Sequence, residues 1–371
     1  MTSLVVPTAV LSRARRVADA YQAFTGATID ADEIIAGRAA LLGLSPQGRI
    51  SAGGATHLMP SRDGWCALTL SRPDDVATVP ALLQVDGIDD DPWPAVHRWV
   101  SENDAADVTE RARLLGLPAG ALGETPAEPP HVYPFGAATT TRGPAGLLVA
   151  DLSSMWAGPL CGQLLARAGA TVVKVETAAR PDGARSGPPA FFDWMNSGKL
   201  SYVADFDEPS GLQALLAAAD VVIESSRPAA LTRRVLGPTD IGPRDGRVWL
   251  RITGHGTDGE RANWVAFGDD AAVSGGLVCG SDEDPVFCGD AIADPLTGLH
   301  AAVAVAQSLR SGGGELIEMC MASVAATYAE LDRSPETSCT AIPAPSAPAS
   351  PLGADNAVVE ELITERRFAS C

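Results

Sequence analysis

Residues 146–176 read GLLVADLSSMWAGPLCGQLLARAGATVVKVE. The runs GLLVAD (146–151) and TVVKVE (171–176) are short, apolar and rich in β-branched residues, as buried strands are, and Pro159–Arg167 between them carries helical spacing. Two such strands separated by a helix form a parallel crossover, because a hairpin cannot join parallel neighbours. The alternation continues outward. Strands are expected at Leu200–Ala204, DVVIE (220–224), RVWLRI (247–252) and ELIEM (315–319), with helices at Ser210–Ala218 and Asp294–Leu309, the latter stopped by Gly312, Gly313 and Gly314. Residues 146–331 therefore read as an α/β unit with a doubly wound, Rossmann-like parallel sheet.

The chain before it follows other patterns. Two helices fill Val10 to Gly43, the second opened by Asp30 or Asp32 as cap, so residues 1–44 form a helical segment. Residues 45–125 form a smaller α+β domain with a strand at GWCALTL (64–70) and helices at Pro73–Leu83, Trp93–Val100 and Ala105–Leu115. Pro118 to Gly146 is rich in Pro, Gly, Ala and Thr, which makes residues 126–145 an inter-domain linker. Residues 332–371 read as a second linker, Pro, Ala and Ser rich from Asp332 to Asn356, ending in a short helix at Ala357–Thr364.

With 371 residues, 46% hydrophobic and 20% charged, the composition is globular and long enough for two domains. A surplus of 46 Asp plus Glu over 27 Lys plus Arg gives a net charge of −19. Such a surface repels nucleic acid and anionic membranes, so an anionic ligand needs a local basic patch. No apolar run is long enough to span a bilayer, and the N-terminus has no basic region ahead of its apolar residues, so a cytoplasmic location is expected. Seven cysteines without a CxxC pair, and five histidines without HExxH spacing, indicate neither a disulfide framework nor a metal site.

Five blocks occur in order: 150–176, FFDWMNSGKLSYVADF (191–206), DVVIESSRPAAL (220–231), ITGHGTDG (252–259) and ADPLTGLHAA (293–302). Together they resemble the family III CoA-transferases, the CaiB/BaiF family, which also contains acyl-CoA racemases. SAGGATHLMPSRDGWCALTLSRPDD (51–75) and ERARLLGLPAGAL (110–122) resemble the family's small domain, which there follows the large-domain blocks, so the chain looks circularly permuted. SPLGADNAVVEEL (350–362) is similar to the family's C-terminus. The resemblance implies an interlinked homodimer, acyl-CoA and a free carboxylic acid as substrates, and no permanently bound cofactor.

It also implies roles for particular residues. Asp294 stands at the family's nucleophile, which exchanges CoA through a covalent aspartyl thioester; read from the residues alone, Asp294-Pro295 before a long helix is an ordinary N-cap with Pro at the first helical position. Asp290 is the second candidate. Asp269, beside Asp270, occupies the place of the racemases' proton-transferring His, though the pair also suits a solvated helix start. Lys174, Arg180, Arg185, Lys199 and Arg227 match basic positions that hold CoA, and surface solubility is the bland alternative. Trp156 replaces a Gln near the acyl group of oxalate-type transferases, which points to an apolar acyl pocket or a core indole. Gly53 and Gly54 fall on the family's mobile glycine loop, or form a plain turn. The expected activity is CoA transfer. An acyl-CoA racemase or isomerase, or a CoA-binding protein without transfer chemistry, is the alternative, the latter because of Trp156 and because Glu260 stands where the family has Pro.

Overall fold

Seven strands hydrogen-bond in the order His131–Pro134, Glu315–Cys320, Val248–Thr253, Val221–Glu224, Leu148–Asp151, Thr171–Glu176 and Leu200–Val203. All neighbours run parallel except His131–Pro134, which pairs antiparallel with Glu315–Cys320 at one edge. The computed structural model that gives this arrangement describes residues 4–369, with side chains through residue 367. Numbered along the chain, the parallel strands are ordered 3-2-1-4-5-6, the doubly wound Rossmann order. The order reverses between Leu148–Asp151 and Val221–Glu224, which opens a crevice at the carboxyl ends of those strands.

Both faces of the sheet are covered. One buries Val149, Ile223 and Leu250 under the helices Ala157–Arg167 and Ala293–Arg310, and the other buries Leu148, Val222 and Trp249 under Ser210–Ala218 and Asn356–Ala369. Central strands read as nearly unbroken apolar runs because neither face meets water.

The N-terminal helices Thr8–Thr25 and Ala31–Leu42 belong to the same core through Tyr21, Ile34 and Ile35. Tyr21 Oη donates to the Leu164 carbonyl at 2.7 Å. Asp30 caps the second helix, its side chain accepting from the Asp32 N–H at 2.9 Å. The smaller unit has a three-stranded antiparallel sheet, Thr56–Pro60, Trp65–Thr69 and Ala119–Ala121, packed on the helices Pro73–Leu83, Trp93–Ser101 and Ala105–Leu114. It docks on the helix Gly268–Ser274, so closely that a Cβ at Gly120 would lie 2.7 Å from the Asp270 carbonyl oxygen.

Both linkers need correcting. The stretch 118–146 supplies Ala119–Ala121 to the small sheet and His131–Pro134 to the large one. The tail contains Glu336–Cys339, which pairs antiparallel with Leu4–Pro7.

Candidate active site

Helices Ala157–Arg167 and Ala293–Arg310 touch at Gly298, where a Cβ would lie only 2.6 Å from the Ala157 carbonyl oxygen. Asp294 is one turn earlier on the same helix face. Its carboxylate therefore meets the start of the neighbouring helix, where the backbone N–H groups of Ala157 and Gly268 favour its ionised form. Both are the first residues of their helices. Gly268 has no substitute here, since a Cβ would lie 2.4 Å from Asp294 Oδ2 and 2.2 Å from the Ala291 carbonyl oxygen. The N-cap expectation is overturned: Ile292 is the cap residue, and Asp294 lies inside the first turn with its carboxylate turned to other segments.

Two more carboxylates surround it. Asp269 accepts the Ala291 N–H at 2.9 Å, and Asp290 is fully buried and ion-paired with Arg38 at 2.5 Å. Ala291 adopts a left-handed φ of 42°, a conformation uncommon for a residue with a side chain. Burial pushes the Asp294 carboxyl up to about 7 against the pull of Arg38. The Asp269 carboxyl also rises to about 7, first through burial and then through the charge of Asp290. Asp269 and Asp294 both keep partial solvent contact, whereas Asp290 has none. Asp270 is buried rather than solvated, and its Oδ1 accepts from the Phe267 N–H at 3.0 Å and the Thr69 hydroxyl at 2.8 Å, joining the small domain to the large one.

Arg38 was invisible to sequence reasoning because its segment had no assigned role. The available signal was one lone charge inside the apolar stretch 34–42 of its helix. Its guanidinium carbon lies 5.6 Å from the ring centroids of both Trp156 and Phe191, which pack edge to face at 5.5 Å. Trp156 is 3% exposed, and its Nε1–H has no hydrogen-bond partner. Arg38 Nη2 faces the glycine turn: a Cβ on Gly53 would lie 3.5 Å from it. That turn is closed by the Gly54 N–H to the Ser51 carbonyl at 2.8 Å, and Gly54 has φ +81°. Residues far apart in sequence, 38, 53, 156 and 269–294, thus meet within one chain.

The expected basic patch divides. Lys199 donates to Asp151 at 2.9 Å and to the Pro159 carbonyl at 2.8 Å, and Lys174 pairs with Asp182 at 2.8 Å and donates to the Ser153 carbonyl. Both lysines are buried, so their charge neutralises interior carboxylates and presents nothing to a phosphate. Arg185 is half-buried, ion-paired with Glu176 at 2.7 Å and stacked on Phe192. Arg180 and Arg227 alone of the five have exposed side chains; Arg227 follows the carboxyl end of Val221–Glu224, which flanks the crevice, and Arg180 that of Thr171–Glu176, one strand further out. Among the described residues no cluster of His, Cys, Asp and Glu is placed to hold a metal ion.

The sequence model of CoA-transferase family III matches residues 145–344, more than half of the chain. The chain belongs to the family III CoA-transferases. A succinate–glutarate CoA-transferase of Agrobacterium fabrum is 32% identical over 213 residues, covering 48% of this chain and 51% of that one. A succinyl-CoA–D-citramalate CoA-transferase of Chloroflexus aurantiacus is 30% identical over 189 residues, covering 46% and 47%. A solved CaiB/BaiF family structure from Brucella suis is 29% identical with a TM-score of 0.45, covering 51% and 55%. This family III chain spans about half the length of the curated relatives it matches. Trp156, Asp269, Asp290 and Asp294 lie within the matched region; Arg38 and Gly53 lie outside it. No helix among the described residues is long and apolar enough to cross a membrane.

Proposed function

We propose that the chain is an acyl-CoA:carboxylate CoA-transferase with Asp294 as its covalent carrier. The observation that carries this reading is the Asp294 carboxylate, set against the first residues of two neighbouring helices while still open to solvent. One carboxylate oxygen attacks the thioester carbonyl, the C–S bond breaks, and CoA leaves as thiolate, giving a mixed anhydride. The thiolate then attacks the Asp294 carbonyl carbon and displaces the free acid, leaving an aspartyl CoA thioester. A second carboxylate runs both steps in reverse and departs as the new acyl-CoA. Each attack on the Asp294 carbonyl places negative charge on an oxygen beside the Ala157 and Gly268 N–H groups, which preorganised donors stabilise. Arg180 and Arg227 suit the CoA phosphates at the crevice mouth.

Mass spectrometry after incubation with acyl-CoA and borohydride tests this reading. Label on the peptide containing Asp294 supports it, and label elsewhere or none overturns it. An acyl-CoA racemase is the second reading, favoured by Asp269, a partly exposed carboxyl with its proton affinity near neutrality at the place of the family's His. Exchange of the α-hydrogen for deuterium without CoA transfer would select it. A CoA-binding protein without chemistry would give neither signal. The contact of the Gly53 turn with Arg38 supports the permuted domain order; a homodimer and a cytoplasmic location complete the reading, with light scattering as the check on assembly.

A further inference from the structure

A free acid entering this site must bring a carboxylate next to Asp269, Asp290 and Asp294. Something must offset that charge. Among the described residues, Arg38 is the one cation whose charge acts on all three carboxyls. Its Nη1 is occupied by Asp290, while Nε and Nη2 make no protein hydrogen bond and remain accessible. Beside it the indole Nε1–H of Trp156 is buried without an acceptor. A carboxylate has two acceptor oxygens, which is what an open guanidinium edge and an orphan indole donor lack. The Trp156 and Phe191 rings pack beside this edge, and among the described residues Arg38 is the one cation placed over either ring.

Resting on the CoA-transfer reading, we propose that Arg38 anchors the reacting carboxylate of a monocarboxylic acid whose apolar chain lies on Trp156 and Phe191, and that Asp290 is the positioning residue for Arg38. Asp290 holds one end of the guanidinium, so the remaining edge faces the site in one orientation. The anchor comes from the helix Ala31–Leu42, outside the residues shared with the family, and is covered by the Gly53 turn. A short dicarboxylate would bury its second charge among aromatic rings and aspartates, and is therefore disfavoured.

Calorimetric titration of the full chain with butyrate, hexanoate, octanoate and glutarate, without acyl-CoA, tests the anchor apart from the covalent chemistry. Expected are binding of the monocarboxylates, tightening with chain length, and weaker binding of glutarate. Arg38→Met should weaken hexanoate by about tenfold or more, and Arg38→Lys by less, because a point charge keeps part of the pairing. The double variant Arg38→Met/Asp290→Asn removes the carboxylate that the single change leaves buried and unpaired, so it keeps the test valid if the single variant does not fold. Asp290→Asn alone should raise the KM for the acid while leaving that for acyl-CoA within about twofold, a split that a general loss of stability would not produce. Equal hexanoate binding by parent and Arg38 variants, no monocarboxylate binding by the parent, or tighter binding of glutarate overturns the proposal. Absence of label at Asp294 overturns the transfer reading separately, since acid binding is measured without it.

Discussion

Lys199 Nζ lies 2.9 Å from Asp151 Oδ2, and both side chains are buried at the carboxyl end of the strand Leu148–Asp151. Burial alone would raise the Asp151 carboxyl, yet Lys199 and Lys174 hold it below its ordinary value. Burial lowers the Lys199 ammonium in turn. Breaking such a pair leaves an uncompensated interior charge, so Lys199→Ala should cost about 3–5 kcal/mol of stability. Denaturant unfolding would read the loss. CoA affinity of the folded fraction should stay unchanged, and a specific loss of CoA binding without destabilisation would return Lys199 to the phosphate site.

CoA phosphates should instead depend on Arg180 and Arg227, whose side chains are exposed beyond the carboxyl ends of neighbouring parallel strands. The double change to Ala should weaken CoA several-fold at low ionic strength. The difference should shrink as salt rises, because screening shortens the reach of exposed charges. Titrations at two salt concentrations measure it, and a salt-independent loss would speak for packing in place of phosphate contact.

Protonation links the site to pH. The Asp294 and Asp269 carboxyls both stand near 7, and the proposed transfer uses Asp294 as the carboxylate. The kcat/KM for acyl-CoA should therefore rise with pH and reach half its plateau close to 7. Stability runs the other way. A carboxyl raised above its ordinary 3.8 favours the folded state most at low pH, and that contribution is lost as pH rises through about 7. Asp294→Asn should thus abolish transfer yet gain thermal stability relative to the parent at pH 8, with little gain at pH 4. A uniform Tm change at both values would contradict the assignment.

Sequence patterning served the parallel sheet well, because burial on both faces forces continuous apolar strands: Thr171–Glu176 and the helix Ser210–Ala218 match the structure residue for residue. His131–Pro134 escaped because all four residues are exposed on an edge strand, where no apolar alternation is required. Glu336–Cys339 escaped because its partner, Leu4–Pro7, lies at the other end of the chain and the pairing has no local signature. In the candidate site, motif position singled out Asp294 and Asp269, two carboxyls that the fold brings near one another. It could not tell an interior lysine from one facing a phosphate, since Lys199 and Arg227 are equally charged letters. Arg38 lacked any motif, and its half-buried place among aromatic rings and carboxylates is visible in the fold alone.

The glycine turn gives the last prediction. Gly54 sits at φ +81°, so any side chain there strains the backbone and Gly54→Val should cost about 1–2 kcal/mol through the turn itself. Gly53 lacks that constraint; a Cβ would stand in ordinary contact 3.5 Å from Arg38 Nη2. Gly53→Val should therefore fold nearly as well as the parent. Its two methyl groups would crowd the guanidinium edge and the space through which substrate enters, so turnover should fall about tenfold or more while CoA affinity changes little. The pair of variants separates a turn from a lid: Gly54→Val reports the backbone, and Gly53→Val reports the site. Steady-state kinetics on Gly53→Val, compared at a temperature where both proteins are folded, decide it. Parent-like turnover would reduce the turn to a structural element and remove the support it lends to the permuted domain order.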